Sequence, residues 1–189
     1  MSATAQQLQT TELPAAGTWA IDPVHSSVEF VAKHLMVSKV RGRFGRFTGS
    51  IVVGADPADS SATITIDSSS IDTNMPARDD HLRSPDFLDS EGHPEIVVRS
   101  TGGSSLGDGR WKVDADLTIR GTTLPIELEA EYLGTTEGPR GDVAHFEGKA
   151  EFDREAFGMT WNQALESGGW LVGKKVRIEV QVEALRSDA

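Results

Sequence analysis

Apolar and polar positions alternate along most of this chain, and from residue 95 onward they do so almost without interruption. Trp111, Val113, Ala115, Leu117 and Ile119 share one parity, with Lys112, Asp114, Asp116, Thr118 and Arg120 between them. Leu124, Ile126, Leu128, Ala130 and Tyr132 alternate with Pro125, Glu127, Glu129 and Glu131. The same pattern runs from Ala144 to Phe152 and from Val176 to Ala184. A period of two places successive side chains on opposite faces of a strand. Each of these stretches therefore predicts a strand with one dry and one charged face, as in an antiparallel sheet joined by hairpins. Gly107-Asp108-Gly109 predicts a tight turn, and residues 101–109 and 134–141 read as connections.

Upstream, Thr18 to Asp22, Ser27 to Leu35 and Ser61 to Thr73 also read as strands. Lys39 to Gly54 reads as one long strand, in which Phe44 and Phe47 have opposite parity. A bulge near Gly45 would turn both inward. The final strand is as apolar on its inner face as the central ones. The expected fold is thus all-β: an eight-stranded antiparallel barrel, closed so that no edge is left exposed.

One stretch breaks the pattern. Arg78 to Phe87, RDDHLRSPDF, predicts a short helical insertion between strands 3 and 4. Asn74 or Thr73 is the expected cap for a helix starting at Pro76, and Ser84 the expected cap for a second turn. Its charged residues, with an Asp79–Arg83 pair, are expected on the solvated side. Leu82 and Phe87 are expected to face the barrel, with His81 at its mouth. A second irregular stretch, Asp153 to Gly173, holds Phe157, Trp161 and Trp170 and predicts a loop packed over a barrel end.

Composition narrows the function. With 18 Lys plus Arg against 29 Asp plus Glu, the formal charge is −11. That argues against nucleic-acid binding, which needs a basic footprint, and disfavours an anionic membrane surface. The absence of cysteine excludes thiol catalysis and disulfides. No apolar run reaches the ~20 residues of a membrane span. The first 16 residues are polar, lack a signal pattern and read as a flexible arm before a barrel domain spanning 17–186, which suggests a cytoplasmic protein.

Five histidines, His25, His34, His81, His93 and His145, show no metal-ligand spacing. Asp22, His25 and Ser26 offer the residue types of a catalytic triad, but a turn closing the first barrel corner fits them better. The expected protein is not an enzyme. Small inward residues (Ala32, Ala115, Ala130, Gly148, Ala150) suggest free volume inside the barrel, although a filled barrel serving a structural or interaction role, or a His/Asp-dependent enzyme on the same scaffold, stays open.

The segments TWAIDPVHSSVEFVAKHL, VRGRFGRFTG, ARDDHLRSPDFLD, LTIRGTTLPIEL and REAFGMTWNQ, in this order and spacing, resemble the YceI-like family. The resemblance covers Gly17 to Leu185. It implies a lipocalin-like barrel that binds a long isoprenoid-like amphiphile, such as a polyprenyl quinone, with no covalent cofactor. Together with inward parity it marks a ligand wall of Trp19, Phe30, His34, Phe44, Phe47, Ile64, Ile66, His81, Leu82, Phe87, Leu117, Leu128, Phe146, Phe157 and Trp170. Leu88, where the family often has phenylalanine, and the bulky Trp170 depart from its pattern. The apolar loop around Trp161 and Trp170 leaves a homodimer open.

Overall fold

The computed structural model describes residues 13–35, 37–166 and 168–187. Eleven strands form one antiparallel sheet that closes on itself. The ring has eight staves. Three of them are broken: β1 (Gly17–Ile21) with β2 (Ser27–His34), β3 (Ser38–Phe44) with β4 (Phe47–Val53), and β5 (Ser61–Asp67) with β6 (Ile71–Asp72). The other five are continuous: β7 (Glu95–Gly107), β8 (Arg110–Ile119), β9 (Thr122–Gly138), β10 (Gly141–Asp153) and β11 (Val172–Ser187). Both halves of the first stave lie along β11, through Trp19↔Arg186 and Phe30↔Ile178, and this closes the barrel.

The staves are strongly staggered. One path around the ring runs Ala20, Ser50, Thr63, Arg99, Asp116, Pro125. The opposite path runs Ala20, Leu185, Val143, Thr136. The two paths meet β9 at positions 136 − 125 = 11 residues apart. A large stagger tilts the strands and widens an eight-stranded barrel enough to hold side chains or one small ligand.

Several sequence expectations change. Residues 39–54 are two strands rather than one bulged strand. The chain turns at Gly45 and Arg46, whose N–H groups donate to Ser70 O and Ser70 Oγ. Phe44 and Phe47 both reach the core because they belong to different strands. Residues 101–107 extend β7 instead of forming a loop, with a register shift beside Thr101. The β9–β10 connection is a tight turn at Pro139-Arg140, and the extra residue is absorbed near Leu133. Residues 1–12 of the expected arm lie outside the described residues. Those at 13–16 are held: Leu13 packs on the core, and the carbonyls of Ala15 and Ala16 accept from Trp19 Nε1 and Arg186 Nη2.

The insertion follows the third stave. Its helix α1 (Pro76–Arg83) has proline in the first turn but no side-chain cap, since Met75 stands at the N-cap. Instead, Asp79 is buried and accepts from Thr73 N at 2.8 Å and Thr73 Oγ1 at 2.5 Å. The expected Asp79–Arg83 pair does not form. Arg83 pairs with Asp80 and donates to the carbonyls of Ser69 and Ile71. The charged residues of α1 thus fasten the insertion to the third stave as well as facing solvent. Ser84 Oγ does accept from Asp86 N, closing a turn in place of a second helix.

The first corner is an aspartate turn, as its sequence suggests. Asp22 Oδ1 accepts from Val24 N, while Oδ2 faces His25 Nδ1 and Arg140 Nη2. The Val24 N–H first, then His25 and Arg140, hold the Asp22 carboxyl down to about 2. A lowered folded-state pKa adds stability above the unfolded value near ~3.9, and this is lost as pH falls through the folded value. Asp22→Asn is expected to flatten part of the melting-temperature profile between pH ~4 and ~2 while leaving its shape near neutrality unchanged. An unaltered acid limb in thermal melts would refute the role of this corner.

Candidate functional site

Burial divides the barrel interior into two parts. At the end where the chain enters, Trp19, Ile21, Val53, Tyr132, Ala144, Val182 and Ala184 are buried and form a plug. Trp19 and Ala144 have no solvent exposure. Towards the insertion, Phe47, Ile66, Ile96, Leu117 and Ile119 are buried beneath Leu88, Phe157 and Met159. These two layers are packed core.

The remaining wall differs. Three cross-strand rows line its inner face, and paired residues across a ladder share a face. The first is Trp111–Ala130–Gly148–Val180–Val28. The second is Val113–Leu128–Ala150–Ile178–Phe30–Gly42. The third is Phe152–Val176–Ala32–Val40. Most of these inward apolar residues are only half-buried, although each comes from a central strand of a closed sheet. Inward side chains of a closed barrel keep solvent contact where the interior is open.

Composition along the rows explains the opening. Ala130, Ala150 and Ala32 are small where larger residues would fill the interior. Gly42 and Gly148 are small for a different reason, because a neighbouring side chain already occupies the place of a Cβ. A Cβ at Gly42 would lie 2.5 Å from the Phe30 ring, and one at Gly148 would lie 2.8 Å from Val180 Cγ2. None of the three rows carries an ionisable side chain. The charges lie outside, where Lys112–Glu127, Lys149–Glu129 and Lys175–Glu151 bridge neighbouring strands.

A concavity of about 400 Å³ lies on this same wall. Its lining includes Trp111, Ala130, Gly148 and Val180 of the first inner row, flanked by Arg110, Glu131, Glu147 and Gln181 on one side and Glu129, Lys149 and Glu179 on the other. The concavity is therefore centred on the first inner row, where Ala130 and Gly148 are the small residues.

The upper end is built from the insertion and the loop between β10 and β11. Arg154, 2 % exposed, sits where they meet. Its guanidinium donates to the carbonyls of Gly173, Met159, Trp161 and Val172 and lies 5.9 Å from the Phe87 ring centroid. Burial pushes its pKa below the ordinary arginine value. Asn162 closes the loop's base: its amide donates to Val172 O and its carbonyl accepts from Val172 N. Beyond it the chain folds into a tongue, with Ala164 bridged to Trp170. Trp161 packs on the insertion, its ring centroid 4.6 Å from His81 and 5.5 Å from Phe87.

The residues expected to form one ligand wall therefore separate into three groups. Trp19, Phe47, Ile66, Leu117, Phe87 and Phe157 are sealed in the packed layers. Phe30, Phe44, Ile64, Leu82, Leu128 and Phe146 are half-buried, and Phe30 and Phe44 meet at 5.9 Å between ring centroids. His34, His81 and Trp170 occupy the upper end. His34 lies on the ladder between Ser38 and Val172, His81 Nε2 pairs with Asp86 at 2.9 Å, and Trp170 is 55 % exposed. Phe87 was expected to face the opening, but it is covered by Trp161 and Arg154. Arg154, Asn162, Asp79 and Trp161, which organise this end, were not among the expected wall residues. The signal for three of them was their place in the REAFGMTWNQ segment.

The histidines do not converge. His25, His81 and His93 each face a different aspartate, and His145 lies beside Thr136 and Glu183 on the outer face. Among the described residues, no group of three or more acidic, histidine or cysteine side chains is arranged to hold a metal ion.

The architecture defines a class: a closed, staggered eight-stave barrel, plugged at one end, with an apolar and partly open interior. The chain belongs to the YceI-like family, whose model matches residues 19–184. It is 40 % identical over 172 residues to a UPF0312 protein of Staphylococcus aureus strain USA300, an alignment that spans 87 % of this chain and 95 % of that one. Among solved structures, the barrel is similar to BcnA of Burkholderia cenocepacia, with a TM-score of 0.76, 22 % identity, and coverage of 86 % of this chain and 98 % of that one. It also matches a polyisoprenoid-binding domain from Saccharophagus degradans, with a TM-score of 0.67, 15 % identity, and coverage of 89 % and 98 %. No helix among the described residues is long and apolar enough to cross a membrane.

Proposed function

We propose that this protein is a non-enzymatic binder of one apolar chain, an isoprenoid-like amphiphile such as a polyprenyl quinone, held without covalent attachment. The carrying observation is the inner wall of β8–β11, β2 and β3, which is apolar, uncharged and half-accessible where the rest of the interior is packed. A wall of this kind rewards a guest for its methylene groups, at about 0.8 kcal/mol for each one buried, less the cost of ordering the chain. It offers no fixed polar group for chemistry on the guest. The Saccharophagus degradans barrel of the same architecture, a polyisoprenoid-binding domain, supports this reading.

The test is solvent extraction of purified protein followed by mass spectrometry, with titration of the emptied protein by prenyl quinones of graded length. Affinity is expected to rise with chain length until the interior is full. Ala130→Trp is expected to weaken capture about tenfold or more, because it fills the first row. Leu128→Trp is a second variant in the neighbouring row, and circular dichroism checks that both retain the barrel. Binding unaffected in two folded variants, or none in the wild type, would refute an interior site.

A further inference from the structure

The upper rim carries a surface that the barrel does not need. Leu35 and Val37, in the turn between β2 and β3, are 45 % and 87 % exposed, and Trp170 in the neighbouring tongue is 55 % exposed. The two segments are joined, since Leu35 N donates to Leu171 O at 2.8 Å and His34 pairs with Val172. An aliphatic and aromatic cluster on one rim differs from single scattered apolar residues, which need no explanation.

The charge around it is less acidic than that of the molecule, and two of its lysines are unpaired among the described residues. The whole chain carries −11, yet residues 33–41 contain Lys33, Lys39 and Arg41 and no carboxylate. Lys33 and Lys39 face each other across the β2–β3 ladder, and both are exposed. Neither has an ion-pair partner among the described residues. Lys174 and Lys175 lie just beyond Gly173, whose backbone approaches the Lys33 side chain. They pair with Glu155 and Glu151 at 2.8 and 2.6 Å. Arg41 pairs with Glu179 at 3.6 Å, and Glu166 on the tongue adds a further carboxylate.

We infer that this rim docks on an anionic lipid surface, with Val37, Leu35 and Trp170 entering the interface and Lys33 and Lys39 facing lipid phosphates. Tryptophan suits that depth because its ring is apolar and its N–H is polar. Basic residues near an anionic bilayer add attraction one by one, and salt screens it. The rim lies one register step from the third inner row, through His34–Ser38 and Val172 next to Ala32–Val40 and Val176. Docking here turns the third inner row toward the bilayer. The net charge explains why only one end would do so: the acidic remainder is repelled and orients the rim downward.

The surface stands apart from whether the interior holds a chain, and the experiment separates the two. The full chain is floated with vesicles of phosphatidylcholine containing ~30 mol% phosphatidylglycerol, enough to give a negative surface, and with pure phosphatidylcholine. Wild type is expected to float with the anionic vesicles and to be released by high salt. Reversing both lysines, Lys33→Glu with Lys39→Glu, is expected to weaken binding about thirtyfold or more. Val37→Asp is expected to weaken it too. Val24→Asp, at an equally bare valine on the opposite end (82 % exposed), is expected to have no effect. Ala130→Trp is expected to float like wild type. The inference fails if wild type ignores anionic vesicles, binds neutral ones equally, or responds to Val24→Asp as to Val37→Asp. It also fails if light scattering shows that the rim substitutions break a dimer while vesicle binding is retained, which would make the rim a contact between copies.

Discussion

Replacing Arg154 with methionine is expected to lower the melting temperature by ~10 °C or more. Four backbone carbonyls from residues 159–173 converge on this one guanidinium. Methionine keeps much of the volume but supplies no donor. Buried acceptors left without a partner cost about 1–3 kcal/mol each, and losing a buried charged group's network costs about 3–5 kcal/mol. For a domain of this size each kcal/mol corresponds to about 2–4 °C. Lysine is expected to rescue little, because one ammonium cannot reproduce the planar fork that spans these carbonyls. The loop should loosen before the barrel does. Hydrogen exchange at residues 159–172 is expected to accelerate in the variant, with β8–β10 unchanged. A melting temperature within 2–3 °C of wild type (~2–3 °C, roughly one kcal/mol), with the loop still protected, would show that Arg154 is not what holds this end.

Arg154 also shows where sequence reasoning stopped. Alternation identified the strands because a barrel wall repeats every two residues, and the charged outer parity made that repeat visible from Trp111 to Ala184. The helical insertion was visible because Arg78 to Phe87 broke the repeat. Arginine's partners here are carbonyls, which every residue carries, so nothing in the sequence names them. Asp79 was misjudged for a related reason. Its spacing to Arg83 suggested a helix pair, but Thr73, six residues earlier, supplies both donors. Local spacing cannot anticipate a strand end returning to meet a helix.

Depth inside the barrel was equally illegible. Parity says that Trp19, Leu117, Leu128 and Phe146 point inward, and all four do. Whether an inward residue meets a neighbour or open space depends on the stagger between staves, which brings Ala20 to Pro125 by one path and to Thr136 by the other. That offset is set by the whole ring. It places the small residues Ala130, Gly148 and Ala32 along one wall and the large ones at the plug and beneath the insertion. The half-buried interior is therefore one-sided, and the concavity of this wall is centred on its first row.

Trp19 gives the sharpest test of that division. As part of a ligand wall, its loss would weaken binding; as a plug, its loss should weaken the barrel and spare the guest. Trp19 has no exposed surface, its Nε1 donates to Ala15 O, and Arg186 stacks 6.0 Å from its ring. Trp19→Ala removes a buried indole and leaves a cavity, at a cost of about 3–5 kcal/mol. That corresponds to a melting temperature lower by ~10 °C. Trp19→Phe keeps most of the packing but drops the N–H, and should lose about a third of that. Below the transition, affinity for prenyl quinones is expected to stay within about threefold of wild type, because Trp19 lies in the plug, apart from the wall of Ala130, Leu128 and Phe30 proposed to meet the guest. A stable Trp19→Ala protein with binding reduced tenfold would instead extend the guest down to the plug. The combination of lost stability with retained affinity belongs to a barrel whose plug is separate from its proposed guest wall.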